Sequence, residues 1–331
     1  MSRRGARACR SAWALAALLL ASGCAGWPWP DAAPGSPTDA EPAQPPTAGA
    51  VRAFDPHRPV VALVLSGGAA RGFAHIGVIR VLEQIGLEPD LIVGTSAGSV
   101  VGAAYAAGMS AAQIEAVAAG LDPTALADWV VPNLGQPLLR GELGFVRGQR
   151  LAQAIHTLVG GRPLQALPRR LAVVATDLHS GKPVVFTHGN TGLAVLASAA
   201  VPGIFVPPQI NGRRYTDGQV SSPVPVAAAL ALGADTVIAV DATFPPEHAD
   251  LASTVSVLFQ ILTIATQRIK AHELAQATVV IRPDIRSSAQ LGWDDRAWVI
   301  AAGEQAARLA LPQLMALRPG PCLAQRRPGS C

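Results

Sequence analysis

Residues 90–100 read DLIVGTSAGSV. An apolar run of strand character reaches Gly94, a serine follows with glycines two residues to either side, and small residues of helical character continue to Gly108. A buried strand that turns sharply into a helix through Gly-x-Ser-x-Gly leaves the chain few choices: the turn fits the nucleophile elbow, which lifts the serine hydroxyl clear of the backbone. Gly94 and Gly98 are expected where the turn brings the backbone against neighbouring elements and a side chain would collide. Ser96 then stands at the first turn of a helix, where unpaired N–H groups and the helix dipole favour developing negative charge. The plainer alternative is a strand-to-helix turn in which Ser96 only caps the helix.

The surrounding sequence repeats this grammar. The run "RPVVALVLSGGAARGFAHIGVIRVLEQIG" opens with Val and Leu without polar alternation, as a strand buried on both faces does. A Gly-rich turn follows, then Ile76, Ile79, Val81 and Leu82 at helical spacing, and Gly86 as a stop. "RLAVVATDL", "KPVVFTHG" and "DTVIAVDATF" are three further strands, with helices at "LAVLASAA" and "VPVAAALALG" between them. "STVSVLFQILTIATQRIKAHELAQA" reads as an amphipathic helix, "TVVIRP" as an edge strand, and "WVIAAGEQAARLALPQL" as a last helix. Strands interleaved with helices predict an α/β fold with a mostly parallel central sheet flanked by helices on both faces. With 331 residues, half of them hydrophobic and 15% charged, the chain can bury one large core or two ordinary ones.

The N-terminal "MSRRGARACRSAWALAALLLASGC" has a basic start, an apolar segment too short to span a bilayer, and small residues before Cys24. Residues 1–23 are expected to be a signal peptide. "LLASGC" resembles the bacterial lipoprotein signal, in which the cysteine after the cut is acylated; Ala21 stands where that pattern more often has Leu, and the alternative is an ordinary cleaved signal. The pair Arg3 and Arg4 lacks the apolar residues that twin-arginine export requires close behind it. Residues 24–58, the lipidated cysteine and a Pro/Ala-rich stretch, read as an extended linker, residues 59–317 as the folded domain, and residues 318–331 as a loose tail. All four net positive charges of the chain lie in the signal. With no basic patch and no stacking aromatics, nucleic-acid binding has no electrostatic support. Of the four cysteines, Cys322 and Cys331 could pair or stay free, and no Cys/His spacing suggests a metal site.

The loop Gly67, Gly68, Ala69, Ala70, Arg71, Gly72 lies between a strand and a helix upstream of the serine. Its backbone N–H groups could cradle an oxyanion, with Arg71 as buttress. A dinucleotide turn is disfavoured because Ala69 breaks the G-x-G-x-x-G spacing and no acid follows the next strand to hold a ribose. Two bases compete for the proton of Ser96. His248, oriented by Asp241, follows the order of the commonest elbow hydrolases. Asp217, in an Asp-Gly pair after a hairpin-like piece, could serve directly if held close and desolvated so that its pKa rises.

Four segments, "LVLSGGAARGFAHIGVIRVLE", "GTSAGSVVGA", "ASAAVPGIFVPPQINGRRYTDGQ" and "VVIRPDI", together resemble the patatin-like phospholipase family and its bacterial branch, over nearly all of residues 60–315. The resemblance implies a three-layer α/β fold, Ser96 as nucleophile, Asp217 of the Asp217–Gly218 motif as base, residues Gly67 to Gly72 as oxyanion hole, and no metal or organic cofactor. It makes His75 a packing or hydrogen-bonding residue, His188 and His248 ordinary solvated loop residues, and Tyr215 a strand-packing residue. Ala69 replaces a third Gly and leaves an N–H in place; "SSPVPV" replaces a more usual Asn-containing sequence after the Asp-Gly. The implied activity is hydrolysis of phospholipid, lysophospholipid or other lipid ester at a membrane, through an acyl-enzyme. With the lipoprotein signal, the expected location is the periplasmic face of the outer membrane, since Ala25 rather than Asp follows Cys24. The rivals are an α/β-hydrolase esterase using Ser96, Asp241 and His248, and a lipid-binding lipoprotein without catalysis.

Overall fold

The computed structural model describes residues 47–49, 53–120, 125–128, 144–246, 254–285 and 295–317. Its centre is a mixed sheet in the order β5-β6-β3-β2-β1-β7-β8, with β4 on the far edge of β3. The strands are β1 Val61–Leu65, β2 Leu91–Thr95, β3 Arg170–Asp177, β4 Pro183–Phe186, β5 Gln209–Ile210, β6 Arg213–Asp217, β7 Thr236–Val240 and β8 Val279–Ile281. β3, β2, β1, β7 and β8 run parallel, as the Val-rich runs predict, while β4 and β6 pair antiparallel with β3. The helices are α1 Ala74–Gln84, α2 Ala97–Ala106, α3 Ala111–Gly120, α4 Gln149–Leu158, α5 Thr191–Ala199, α6 Val226–Ala231, α7 Thr254–Leu274, α8 Arg296–Leu309 and α9 Leu311–Ala316.

Strand side chains alternate between the two faces of the sheet and so build two cores. Leu63, Leu65, Ile92, Leu171, Val173, Ile238 and Val240 pack under α1, α2, α5 and α8. Ala62, Val64, Leu91, Val93, Ala172, Val174 and Val237 face the other way, against Val226 and Ala229 of α6 and Leu274 of α7. Burial on both faces explains why these strands carry no polar alternation. Three expectations change. α3, with a thin Ala-rich stripe, and α4, with Leu151, Ile155 and Leu158 on one face, are additional helices; the last helix breaks at Ala310 into α8 and α9, with Pro312 in the first turn of α9. The end of the stretch read as a linker packs on the domain. Thr47 exchanges backbone bonds with Thr187 and His188, and the Arg170 guanidinium lies 4.5 Å from the ring centre of Phe54. Among the described residues no helix is long and apolar enough to cross a membrane. The signal, Cys24, Cys322 and Cys331 lie outside the described residues.

α1 and α8 pack at two glycines. A Cβ on Gly77 would run into the Ile300 carbonyl oxygen, and one on Gly303 into the Ala74 carbonyl oxygen. Backbone cannot yield as a side-chain tip can. Gly77→Ala gains about 1 kcal/mol of helix propensity but is expected to lose about 3 kcal/mol to overpacking. Urea unfolding of the variant should therefore show a lower midpoint than the parent.

Candidate active site

Ser96 follows β2 directly and adopts φ 53°, ψ −123°, a conformation that L side chains rarely take, before α2 begins at Ala97. Such strain costs on the order of 1–3 kcal/mol and survives only where the surroundings over-determine it. The glycines supply the room: a Cβ on Gly94 would stand 2.6 Å from the Gly98 carbonyl oxygen, and one on Gly98 would strike the carbonyl of Leu65. The Ser96 amide is not among the unpaired groups of the helix start. It donates to Ser198 Oγ at 2.8 Å, and Ser198 donates onward to the Val174 carbonyl at 2.6 Å.

Asp217 reaches Ser96 through the register of β3. Val174 pairs with both Thr95 and Val185, and Ala175 with both Asp217 and Val184. Since β4 holds one edge along both residues, β2 and β6 must share the other edge, meeting end to end between Val174 and Ala175. Ser96, one residue past the end of β2, thus meets Asp217 at the end of β6. Ser96 Oγ donates to Asp217 Oδ2 at 2.6 Å, and the Gln219 N–H donates to Oδ1 at 2.8 Å. Thr176 Oγ1 holds the Asp217 carbonyl, and the Asp217 amide donates to the Ala200 carbonyl. Gly218 is required here, because a Cβ would run into the Val174 carbonyl oxygen. Asp217 is buried, and desolvation pushes its pKa up to about 6 against the lowering effect of the Ser96 and Gln219 hydrogen bonds.

The Gly67–Gly72 loop lies against this pair. The Cβ position of Gly67 is 3.3 Å from Ser96 Cβ, and that of Gly72 is 2.5 Å from Ala97 Cβ. Two of its amides are committed within the protein: Gly67 N–H donates to the Pro223 carbonyl, and Arg71 N–H to the Gly68 carbonyl. Gly68 at φ 156° and Ala69 at φ 48° then turn the chain into a short 3-10 helix. Buried Arg71 pins that helix from beneath, donating to the carbonyls of Ala242 at 3.1 Å and Ile285 at 2.7 Å. Burial lowers its pKa to about 10, partly offset by Asp241, so it stays charged at neutral pH.

The other candidates sort by contact. His75 is fully buried on α1, held near pKa 4 by desolvation, with its ring Nε2 2.9 Å from the Ser66 carbonyl. The Asp241 carboxylate accepts from Thr243 and lies 3.6 Å from Lys270 Nζ; His248, its expected partner, is outside the described residues. Tyr215 packs edge-on against Phe186, with ring centres 5.2 Å apart. His188 is half-buried, its ring bonded to Thr187 Oγ1 and its backbone to Thr47, because the Thr47 segment lies over it. Among the described residues no group of three or more His, Cys, Asp or Glu side chains is arranged to hold a metal ion.

Sequence reasoning missed Glu273, near the end of α7. This buried carboxylate accepts from Ser222 Oγ at 2.5 Å and from the Val224 N–H at 3.1 Å. The turn it holds presents the Ser222 carbonyl to Thr95 Oγ1 and the Pro223 carbonyl to the Gly67 amide. Glu273 therefore fixes, through one turn, the residue before Ser96 and the first residue of the glycine loop. Desolvation raises its pKa to about 7. A lone Glu in an amphipathic helix pattern carries no sign of this, since its partners lie some fifty residues upstream in the chain.

Two outcomes follow for stability. Glu273→Ala leaves a buried hydroxyl and a buried N–H without their acceptor and should cost about 2–3 kcal/mol in urea unfolding, whereas Glu273→Gln can keep both bonds and should stay close to the parent. Because the Asp217 pKa is raised on folding, its favourable contribution is full below the ordinary Asp range and is lost as pH rises through about 6. Asp217→Asn, which cannot ionise, should gain on the order of 2–3 kcal/mol relative to the parent across that window, read as a growing difference in Tm.

The family model for patatin-like phospholipase matches residues 63–230, which span the glycine loop, Ser96 and Asp217. An uncharacterized NTE family protein of Mycobacterium tuberculosis is 36% identical over 201 residues, covering 59% of this chain and 52% of that protein. Patatin-like phospholipase domain-containing protein 6 of Mus musculus is 30% identical over 226 residues, covering 65% of this chain and 16% of that protein. The chain thus spans about half the length, or less, of these curated relatives. Among solved structures, VipD from Legionella pneumophila superposes with a TM-score of 0.49 at 14% identity, covering 82% of this chain and 70% of that one. Since the family match takes in half of the chain and both halves of the Ser96–Asp217 pair, this chain belongs to the patatin-like phospholipase family.

Proposed function

We propose that the protein is a serine acyl hydrolase that cleaves lipid esters, as a phospholipase A, lysophospholipase or esterase, with Ser96 and Asp217 as its catalytic dyad. The observation that carries this reading is the 2.6 Å bond from a strained serine hydroxyl to a buried carboxylate whose pKa is raised to about 6. A carboxylate of ordinary pKa is too weak a base; one near 6 is still ionised at neutral pH and a far better proton acceptor. Asp217 takes the Ser96 proton as Oγ attacks the ester carbonyl carbon. The oxyanion that forms is held by amides of the Gly67–Gly72 loop other than those of Gly67 and Arg71, which are engaged elsewhere. When the tetrahedral intermediate collapses, the bond to the alcohol oxygen breaks and Asp217 returns the proton to that oxygen. Water then attacks the acyl-enzyme, giving a proton to Asp217, and Ser96 regains it as the fatty acid leaves.

The same reading makes the chain an exported lipoprotein of the bacterial branch, acylated at Cys24 and held at the periplasmic face of the outer membrane. The basic start, the short apolar segment and "LLASGC" support it. Mass spectrometry of the membrane-extracted protein should find an N-terminal diacylglyceryl cysteine, and Cys24→Ser should abolish it.

Fluorophosphonate labelling and fatty-acid release test the dyad. Ser96→Ala and Asp217→Asn should each lower turnover on the order of ten-thousandfold, and His248→Ala should leave it within about twofold of the parent. Collapse in His248→Ala would instead favour the Ser96, Asp241 and His248 arrangement; folded protein that neither labels nor turns over would favour binding without catalysis. Because Asp217 must be ionised to accept the proton, kcat/KM should rise with pH through about 6 and level off above it.

A further inference from the structure

α7 reaches the core through Leu274, at its C-terminal end. Near its C-terminal end Lys270 Nζ donates to Thr243 Oγ1 at 2.9 Å, just past the end of β7, and Glu273 holds the Ser222 turn beside the dyad. In the sixteen residues of α7 before Lys270, about 24 Å of helix, Gln260 Nε2 donates to the Pro246 carbonyl, further along the chain leaving β7. This part of α7 thus stands beyond the carboxyl ends of the strands, the end that carries Ser96. It shows Val257, Ile261 and Ile264 at spacings of four and three, the last two more than half exposed, and exposed Arg268 continues the same stripe. Around the same end, further large apolar side chains are exposed: Leu178 just past β3, Ile204 after α5 with Phe145 bonded to its carbonyl, and Phe244 after β7. The turn entering β2 at the opposite end of the sheet exposes Glu88 instead. Ile269 of α7, and Trp298, Leu309 and Met315 on α8 and α9, complete the exposed large apolar side chains among the described residues.

We infer that the Val257, Ile261 and Ile264 ridge of α7, with the apolar rim at the same end, seats the Ser96 mouth on the surface of a lipid bilayer. The inference rests on the lipid-ester reading above and names the form in which that substrate is met. A projecting stripe of three aliphatic side chains ending in an arginine matches the acyl–headgroup boundary, aliphatic groups below the phosphates and guanidinium among them. A second protein seated on this end would cover the mouth through which a lipid must enter. A bilayer covering the same end supplies the lipid.

The test uses the full chain, so that the N-terminal segment is common to every sample. Ile261→Trp, Ile264→Trp and, as a control at the opposite end, Glu88→Trp are mixed with vesicles of phosphatidylcholine and phosphatidylglycerol carrying brominated acyl chains. Bromine should quench the added fluorescence of the first two variants and leave that of the third unchanged; equal quenching in all three overturns the inference. In parallel, the double variant Ile261→Ser/Ile264→Ser should hydrolyse vesicle lipid at least about tenfold more slowly than the parent, and a monomeric short-chain ester at a rate within about twofold. An unchanged ratio overturns the inference, as does a self-associated parent that the double variant dissociates, which would assign the ridge to a second copy of the chain. If the parent turns over neither substrate while selective quenching persists, the catalytic reading fails and the bilayer surface stands.

Discussion

The site depends on one edge of β3. β4 occupies the other edge, so β2 and β6 share what is left and abut where Val174 gives way to Ala175. Side chains at two abutting strand ends are close whatever the sequence separation, which here is 121 residues. The arrangement tolerates no Cβ at Gly218, where the Val174 carbonyl lies, and none at Gly98, where the carbonyl of Leu65 lies. Close approach of backbone to backbone, rather than conformational freedom alone, is what these glycines supply.

Two unfavourable features sit at that junction, a strained serine backbone and a buried carboxylate. Neither would persist in a loosely held loop. The surrounding hydrogen bonds are correspondingly numerous. Ser198 ties the Ser96 amide to β3, and Thr176 and Ala200 hold the Asp217 backbone. Glu273 fixes the turn that grips Thr95 and Gly67, and Arg71 ties the glycine loop to the chain leaving β7 and β8. Each of these contacts joins segments far apart in sequence. The strain is held by tertiary structure, which over-determines the conformation of both residues.

The parallel strands, the elbow and the Asp-Gly pair were legible because each has a local physical cause. Burial on both faces removes polar alternation from β1, β2, β3 and β7, and close backbone approach demands glycine at Gly94, Gly98 and Gly218. α3 was not legible, since a weak Ala-rich stripe gives little periodicity, whereas α4 carries a plain helical stripe in Leu151, Ile155 and Leu158. Glu273 was hidden for another reason: its partners are a hydroxyl, Ser222, and an amide, Val224, on a different element, and no spacing encodes them. Of the free amides expected at the helix start, that of Ser96 itself is taken by Ser198, arriving from α5.

The sequence by itself determined that a serine would stand on a sharp strand-to-helix turn in a sheet buried on both faces, because sterics and burial act on neighbouring residues. The residues alone left two bases open, Asp217 and a histidine; only the tertiary structure decided which carboxylate touches the Ser96 hydroxyl, which loop amides stay uncommitted, and which end of the sheet carries the exposed apolar ridge. Those depend on strand register and on helices crossing from elsewhere in the chain, and register is a property of pairs of segments that no single segment contains.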